Sequence, residues 1–178
     1  MANVKNYLNS FKNIDKNRYD ELRVSENARS GYRFGDTIDG KKVEVDFLST
    51  DSLSGKFLRI KVEDAFLKDL GLSDEQLERV SNLLCEKISF LSESFKLIEN
   101  DRRNKRVQIR SYPPYIHDQS RSYFEILLDL NEAVLTLSRK ETESAGHITE
   151  NIPFVLSDEL FERLLTVLTG LKNASALI

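Results

Sequence analysis

The stretch LSDEQLERVSNLLCEKISFLSESFKLI, Leu72–Ile98, carries the strongest periodic signal in the chain. Ser73 is placed to cap a helix N-terminus, Gln76 three residues later closes a capping box, and Leu72 with Leu77 makes a hydrophobic staple. Beyond the cap, Leu77, Val80, Leu84, Ile88, Leu91, Phe95 and Ile98 recur at intervals of three and four. That spacing puts them along one side of a 3.6-residue helix, with Glu78, Arg79, Lys87 and Glu93 pointing elsewhere. The spacing predicts one long amphipathic helix whose apolar stripe needs a cover.

The cover is expected upstream. Val43, Val45 and Phe47 alternate with Glu44 and Asp46, and Phe57, Leu58, Ile60 and Val62 follow with Arg59 and Lys61 between them, the pattern of two antiparallel strands joined across Ser49 to Gly55. Asp36 to Gly40 reads as a turn, which makes Tyr32 and Phe34 an earlier strand of the same meander. A short helix within Lys61 to Leu70 ends at Gly71. Such a sheet is marginal without a helix against it, and the Ser73 helix is the candidate.

Downstream, Arg106 to Ser111 alternates like a fourth strand and stops at Pro113-Pro114, because proline gives no ladder hydrogen bond and restrains the residue before it. Asp118 or Ser120 then caps an expected helix whose seam is Tyr123, Leu127, Leu130, Val134 and Leu137, widened by Phe124, Ile126, Leu128 and Leu135. Ser138 to Asn151 is polar and reads as a loop. A last helix starts at Ser157, with Asp158 and Glu159 in its first turn and Leu156 and Phe161 as a staple, and Gly170 near its end. The expected fold is α+β: a small antiparallel sheet of three to four strands packed against a long amphipathic helix, with two further C-terminal helices. Residues 1–30 form an N-terminal helix or arm, and 31–178 a single α+β domain; no internal repeat or low-complexity tract is visible.

Among its 178 residues, 26 Lys and Arg against 29 Asp and Glu give a net charge of -3, so there is no bulk attraction to nucleic acid or an anionic membrane. The lone Cys85 excludes an intrachain disulfide and suits a small, partly buried hydrophobe. The opening MANVKNYLNS has no signal-peptide character and no stretch is long enough to span a bilayer, which makes a cytoplasmic protein with no membrane partner the expectation.

Arg102, Arg103, Lys105, Arg106 and Arg110 form the one dense basic group. With Tyr112, Tyr115 and His117 nearby they are the candidate ligand or phosphate site, since guanidinium forks grip phosphate and aromatic rings stack on bases. An exposed hairpin whose arginines pair with carboxylates accounts for the same residues without a ligand. His117 and His147 lack metal-motif spacing, and no nucleophile elbow or phosphate-cradling glycine loop is present, so no catalytic residue, metal or cofactor is expected.

The function these features favour is that of a non-catalytic, regulatory or adaptor protein. It would bind another protein through an exposed helical or sheet-edge surface and self-associate as a homodimer, with Tyr123, Leu127, Leu130 and Val134 as the interface. The alternatives are a phosphate or nucleic-acid binding module using residues 102–110, and a small enzyme of unknown reaction with its site between the sheet and Tyr112 to His117.

Overall fold

The alternation seen in residues 41–63 does make strands, and the strand-forming regions extend much further than the sequence suggests. The computed structural model describes residues 2–13, 20–24, 29–70, 74–143 and 149–172. In order they form helix α1 (Ala2–Lys12), strands β1 (Asp20–Val24), β2 (Arg29–Ile38), β3 (Lys41–Thr50) and β4 (Ser54–Glu63), and helices α2 (Phe66–Leu70) and α3 (Asp74–Lys87). Strands β5 (Phe95–Asp101), β6 (Arg106–Ser111), β7 (Tyr115–His117), β8 (Ser120–Asp129), β9 (Val134–Glu143), β10 (Thr149–Ile152) and β11 (Phe154–Ser157) follow, and then helix α4 (Asp158–Thr169). All eleven described strands join one antiparallel sheet with the central order β1-β2-β3-β4-β9-β8-β6-β5. The expected sheet of three to four strands under one long helix is therefore replaced by a sheet that runs the width of the molecule, with shorter helices packed on it.

Two periodicity readings account for the difference. The stripe of the opening stretch is helical only through α3; a turn of 3-10 helix follows at Ser89–Leu91, Ser92 takes φ 63°, and Phe95 to Ile98 belong to β5. Leu77, Val80, Leu84, Ile88 and Leu91 are buried as a stripe should be. The three-and-four spacing runs on through Phe95 and Ile98, while the polar Ser92-Glu93-Ser94 breaks the helix and Phe95 and Leu97 satisfy a period of two. The cap residues Leu72 and Ser73 lie outside the described residues.

The second expected helix is the β8–β9 hairpin. Phe124, Ile126 and Leu128 are buried on one face of β8 and Leu135 and Leu137 on the same face of β9, while the Asp129 carboxylate accepts from the Glu132 N–H at 3.1 Å and Ala133 turns the chain at φ 57°. Nearly every position from 123 to 128 is apolar, so a helical and an extended period fit equally well there. Hence one helix, α4, stands where two C-terminal helices were expected. Its start is as read: Ser157 Oγ accepts from the Leu160 N–H at 3.3 Å, with Asp158 and Glu159 in the first turn. The stretch Ser138 to Asn151, expected as a loop, contains the end of β9 and all but the last residue of β10, with 144–148 outside the described residues.

The sheet has an internal order that no sequence repeat announces. Strands β1 to β4 form one four-stranded meander preceded by α1, and β5, β6, β8 and β9 form another preceded by α3. The two meet where β4 pairs with β9, Lys61 opposite Thr136. A two-fold axis through that pair carries β4 onto β9, β3 onto β8 and β2 onto β6. It makes Val43 equivalent to Ile126, Val45 to Leu128, Ile60 to Leu135 and Val62 to Leu137, all buried on the helix side.

In the first half α1 lowers Tyr7 and Phe11 into an aromatic core. The Phe11 ring lies 5.0 Å from Phe47 and 5.5 Å from Phe161, and Phe161 lies 4.5 Å from Phe57. Lys12 fixes the end of α1 to Asp158 at the start of α4. Where β4 and β9 diverge beyond Arg59 and Ser138, β10 pairs with β9 and β11 with β4, turning at Pro153 to fill the split. Phe154 plugs it, 6.0 Å from Phe57 and 5.3 Å from Phe124, and β11 delivers the chain into α4.

Candidate functional site

The face of the sheet away from the helices is polar, and its charges answer one another across the strands. Asp46 takes Arg33 at 2.7 Å and Arg59 at 2.8 Å; Glu44 takes Lys61 of the neighbouring strand at 3.3 Å and Lys42 of its own strand at 3.1 Å. In the other half Asp129 takes Arg106 at 3.0 Å, and Glu125 takes Arg110 at 3.0 Å and Gln108 at 2.7 Å. Opposite charges facing across adjacent strands stabilise a sheet modestly and fix its register. The pair Arg33–Asp46 maps onto Arg106–Asp129 under the two-fold. Burial pushes the Asp129 carboxyl up, but the Glu132 N–H and the Arg106 guanidinium outweigh it and hold the group below its ordinary value. Glu44 is likewise held low: burial raises it, and Lys42 and Lys61 overcome that.

These pairings divide the basic group. Arg106 and Arg110 lie on the polar face, each holding a carboxylate, and Arg102 reaches Asp74 at 3.0 Å. Arg103 and Lys105, at the exposed tip of the β5–β6 hairpin, form no ion pair among the described residues. The tip is tied down by its backbone: the Leu130 N–H donates to the Lys105 carbonyl at 3.0 Å and the Asn131 side chain to the Asn104 carbonyl at 3.2 Å. The five cations therefore do not converge on one point.

The residues of the expected interface are spread differently from a helical seam. Leu130 is buried in the β8–β9 turn. Tyr123, Leu127 and Val134 are half-buried on the polar face, where the Arg110 guanidinium sits 4.7 Å above the Tyr123 ring. Strand geometry separates residues that helical spacing would stack.

Tyr115 and His117 come together at the margin beyond β8, and Tyr112 lies just past the end of β6, against Lys96. Strands β6 and β7 pair with the same side of β8, but Arg106 to Arg110 oppose Asp129 to Glu125 while Tyr115 to His117 oppose Ser122 to Ser120. The two registers differ by two residues, so β6 and β7 act as one strand interrupted at Tyr112-Pro113-Pro114. The prolines offer no N–H there. Ser111 repairs the gap, its buried Oγ accepting the Phe124 N–H at 2.8 Å, and the Tyr112 N–H donates to the Ser94 carbonyl at 2.7 Å. The expelled Tyr112 lies under the Lys96 ammonium, 4.1 Å from the ring centre, and Tyr115 stacks with His117 at 6.5 Å.

Large apolar side chains gather here. Among the described residues Ile98 is 46% exposed, Tyr112 49%, Tyr115 60% and Ile116 64%, and of the six exposed large hydrophobics only Leu53 and Val155 lie elsewhere. Among the described residues strand β5 ends the sheet and β7 has no strand on its far side, so main-chain donors and acceptors accompany the apolar groups. Tyr112, Tyr115 and His117 were legible from the sequence; Ile98 and Ile116 were not, Ile98 because its spacing matches a helix. The Pro-Pro pair was the available signal for an interrupted strand.

Two shallow depressions also lie on the described surface. One of about 270 Å³ is lined by His117, Asp118, Gln119, Ser120 and Glu143, with the exposed His117 Nδ1 3.3 Å from the Asp118 carboxylate. The other, about 260 Å³, lies between α1 and α4 beside Lys12 and Asp158. Among the described residues no group of three or more His, Cys, Asp or Glu side chains is placed to hold a metal ion, and His147 lies outside them. Cys85 is half-buried, and burial pushes its thiol up, away from the reactive thiolate. No described helix is long and apolar enough to cross a membrane. No family model, curated protein or solved structure matches this chain.

Proposed function

We propose that the chain is a non-catalytic, cytoplasmic binding protein of regulatory or adaptor type, that it presents the β5–β7 margin to another protein, and that it self-associates. The observation that carries this reading is the concentration of Ile98, Tyr112, Tyr115 and Ile116 along an unpaired sheet edge. An open edge adds a partner strand through main-chain hydrogen bonds, and neighbouring apolar side chains give that addition its affinity. Aromatic groups anchored by cations, as Tyr112 is by Lys96, are common hot spots of such surfaces. Anion binding by the basic hairpin is the weaker reading, because Arg102, Arg106 and Arg110 are already engaged by carboxylates.

Site-specific photo-crosslinking in cells tests the proposal. A photoreactive side chain in place of Ile98 or Ile116 is expected to give discrete protein adducts, and one in place of Val155, on β11, none. Equal labelling at all three positions, or no adduct at Ile98 and Ile116, removes the reading.

A further inference from the structure

The alternation of charge across the polar face lapses over most of β5; only at the hairpin end does Asp101 face Arg106. Lys96 stands opposite Arg110, a like charge, and Glu99 opposite the neutral Gln108. Among the described residues neither Lys96 nor Glu99 has an ionic partner; Lys96 rests on the Tyr112 ring, and both side chains are exposed. Like charges directly opposite one another destabilise a ladder. Around the middle of β5 the edge therefore carries one cation and one anion, Lys96 and Glu99, without counter-charges among the described residues, while Asp101 is matched by Arg106.

Their arrangement depends on a bulge. The β5–β6 register shifts between Leu97 and Glu99, which makes Ile98 an extra residue. In a regular strand, residues three apart point to opposite faces; the bulge brings Lys96 and Glu99 to the same, polar face. From Lys96 to Glu99 the edge then reads cation, bulge, anion, a sequence that is its own complement when reversed.

We propose that β5 pairs antiparallel with β5 of a second copy, about a two-fold axis through the bulge, to give a homodimer with one continuous sheet. The inference rests on the docking reading of the β5–β7 margin and names its occupant. In this register Lys96 of each copy faces Glu99 of the other on the polar side, Phe95 faces Asn100 on the helix side, and Leu97 and Ile98 meet at the axis. The alternation broken at β5 resumes across the interface, where Arg110 and Lys96 of one copy are followed by Glu99 and Gln108 of the next. A lysine and a bulge on an edge ordinarily discourage indiscriminate strand addition. Here they leave one geometry in which the addition is favourable, an isologous contact that closes at two copies.

Sedimentation equilibrium on the full chain tests this with K96E and E99K, alone and mixed. The wild type is expected to dimerise. Each single variant, with like charges facing at both ends of the contact, should self-associate at least about tenfold more weakly. An equimolar mixture of K96E and E99K should recover dimers of one copy of each, because both positions again face opposite charges. The double variant K96E/E99K should dimerise like the wild type, and unchanged thermal unfolding would confirm that the fold is intact. A monomeric wild type, single variants that dimerise as the wild type does, or a mixture that stays monomeric overturns the proposal. Crosslinks from Ile116 to a different protein, seen alongside a monomeric wild type, would leave the docking reading standing and remove only this occupant.

Discussion

The two halves of the sheet share a strand plan and differ in what fills them. The half built on β1 to β4 is closed by α1 and α4 over six aromatic rings, Tyr7, Phe11, Phe34, Phe47, Phe57 and Phe161, all buried. The half built on β5, β6, β8 and β9 is closed by α3 over smaller side chains, chiefly Leu77, Val80, Leu84, Ile88, Val107, Ile109, Ile126 and Leu128. Aromatic rings bury roughly 150–250 Å² each and add edge-to-face attraction beyond that area. The first half thus holds the denser stabilisation, and its large side chains are inward. The second half buries two rings of its own strands, Phe95 and Phe124, and keeps Tyr112 and Tyr115 on the outside, where they contribute little to the fold. One topology is thus filled in two ways, with large rings packed inward in the first half and partly turned outward in the second.

The largest expected effect falls on the aromatic half. Replacing Phe11, which touches four other rings, with alanine should lower unfolding free energy by about 3–5 kcal/mol in urea titration, whereas Ile109→Val in the other half should cost about 0.5–1.5 kcal/mol. Comparable losses for the two would erase the asymmetry. Next comes Gly55. A Cβ there would stand 2.5 Å from the Phe57 ring, which is fully buried and packed on Phe161, so Gly55→Ala should cost about 1–3 kcal/mol. A neutral result would mean that the ring has room to move.

How much of this was legible follows the periodicity. Val43, Val45, Phe47, Ile60 and Val62 announced β3 and β4 because one face is wet and one dry, and the α4 start at Ser157 was announced by its cap. The β8–β9 hairpin was hidden because its polar face carries Tyr123, Leu127 and Val134, apolar groups sitting among ion pairs, and these completed a false helical seam. The candidate margin was half visible: Tyr112, Tyr115 and His117 stood out by type. Ile98, Lys96 and Glu99 acquire meaning only through a bulge, a departure from regularity that no residue pattern marks. The two-fold relation left no trace either, since it preserves inward or outward facing and not residue identity.

The polar face allows the halves to be compared at equivalent positions. Asp46→Asn weakens two guanidinium contacts around a buried carboxylate and should cost about 1–2 kcal/mol, while Asp129→Asn, opposite a more exposed arginine, should cost under about 1 kcal/mol. Acid should act through Glu44 in one half and Asp129 in the other. Both are held below their ordinary values in the folded chain, so their contribution is present above the ordinary carboxylate range and is lost as pH falls through it towards the depressed folded values. Glu44→Gln and Asp129→Asn should each flatten the acid limb of a stability-against-pH curve. A limb of unchanged steepness in both variants would place acid sensitivity elsewhere.

The most local effect lies at the join between fold and surface. Under the two-fold, Ser111 is the counterpart of Ile38, which sits in the β2–β3 ladder opposite Lys41; in the second half the β6–β8 ladder ends at Arg110, and the Ser111 side chain takes the Phe124 N–H instead. Ser111→Ala should therefore cost about 1 kcal/mol, the loss of one buried hydrogen bond, while Ser111→Thr keeps the acceptor and should retain most of it. The sharper reading is local. Amide exchange at Phe124 should quicken in Ser111→Ala by more than global destabilisation explains, because opening there no longer breaks a bond. Equal exchange in the two variants would show that the interruption at Tyr112-Pro113-Pro114 does not depend on this hydroxyl.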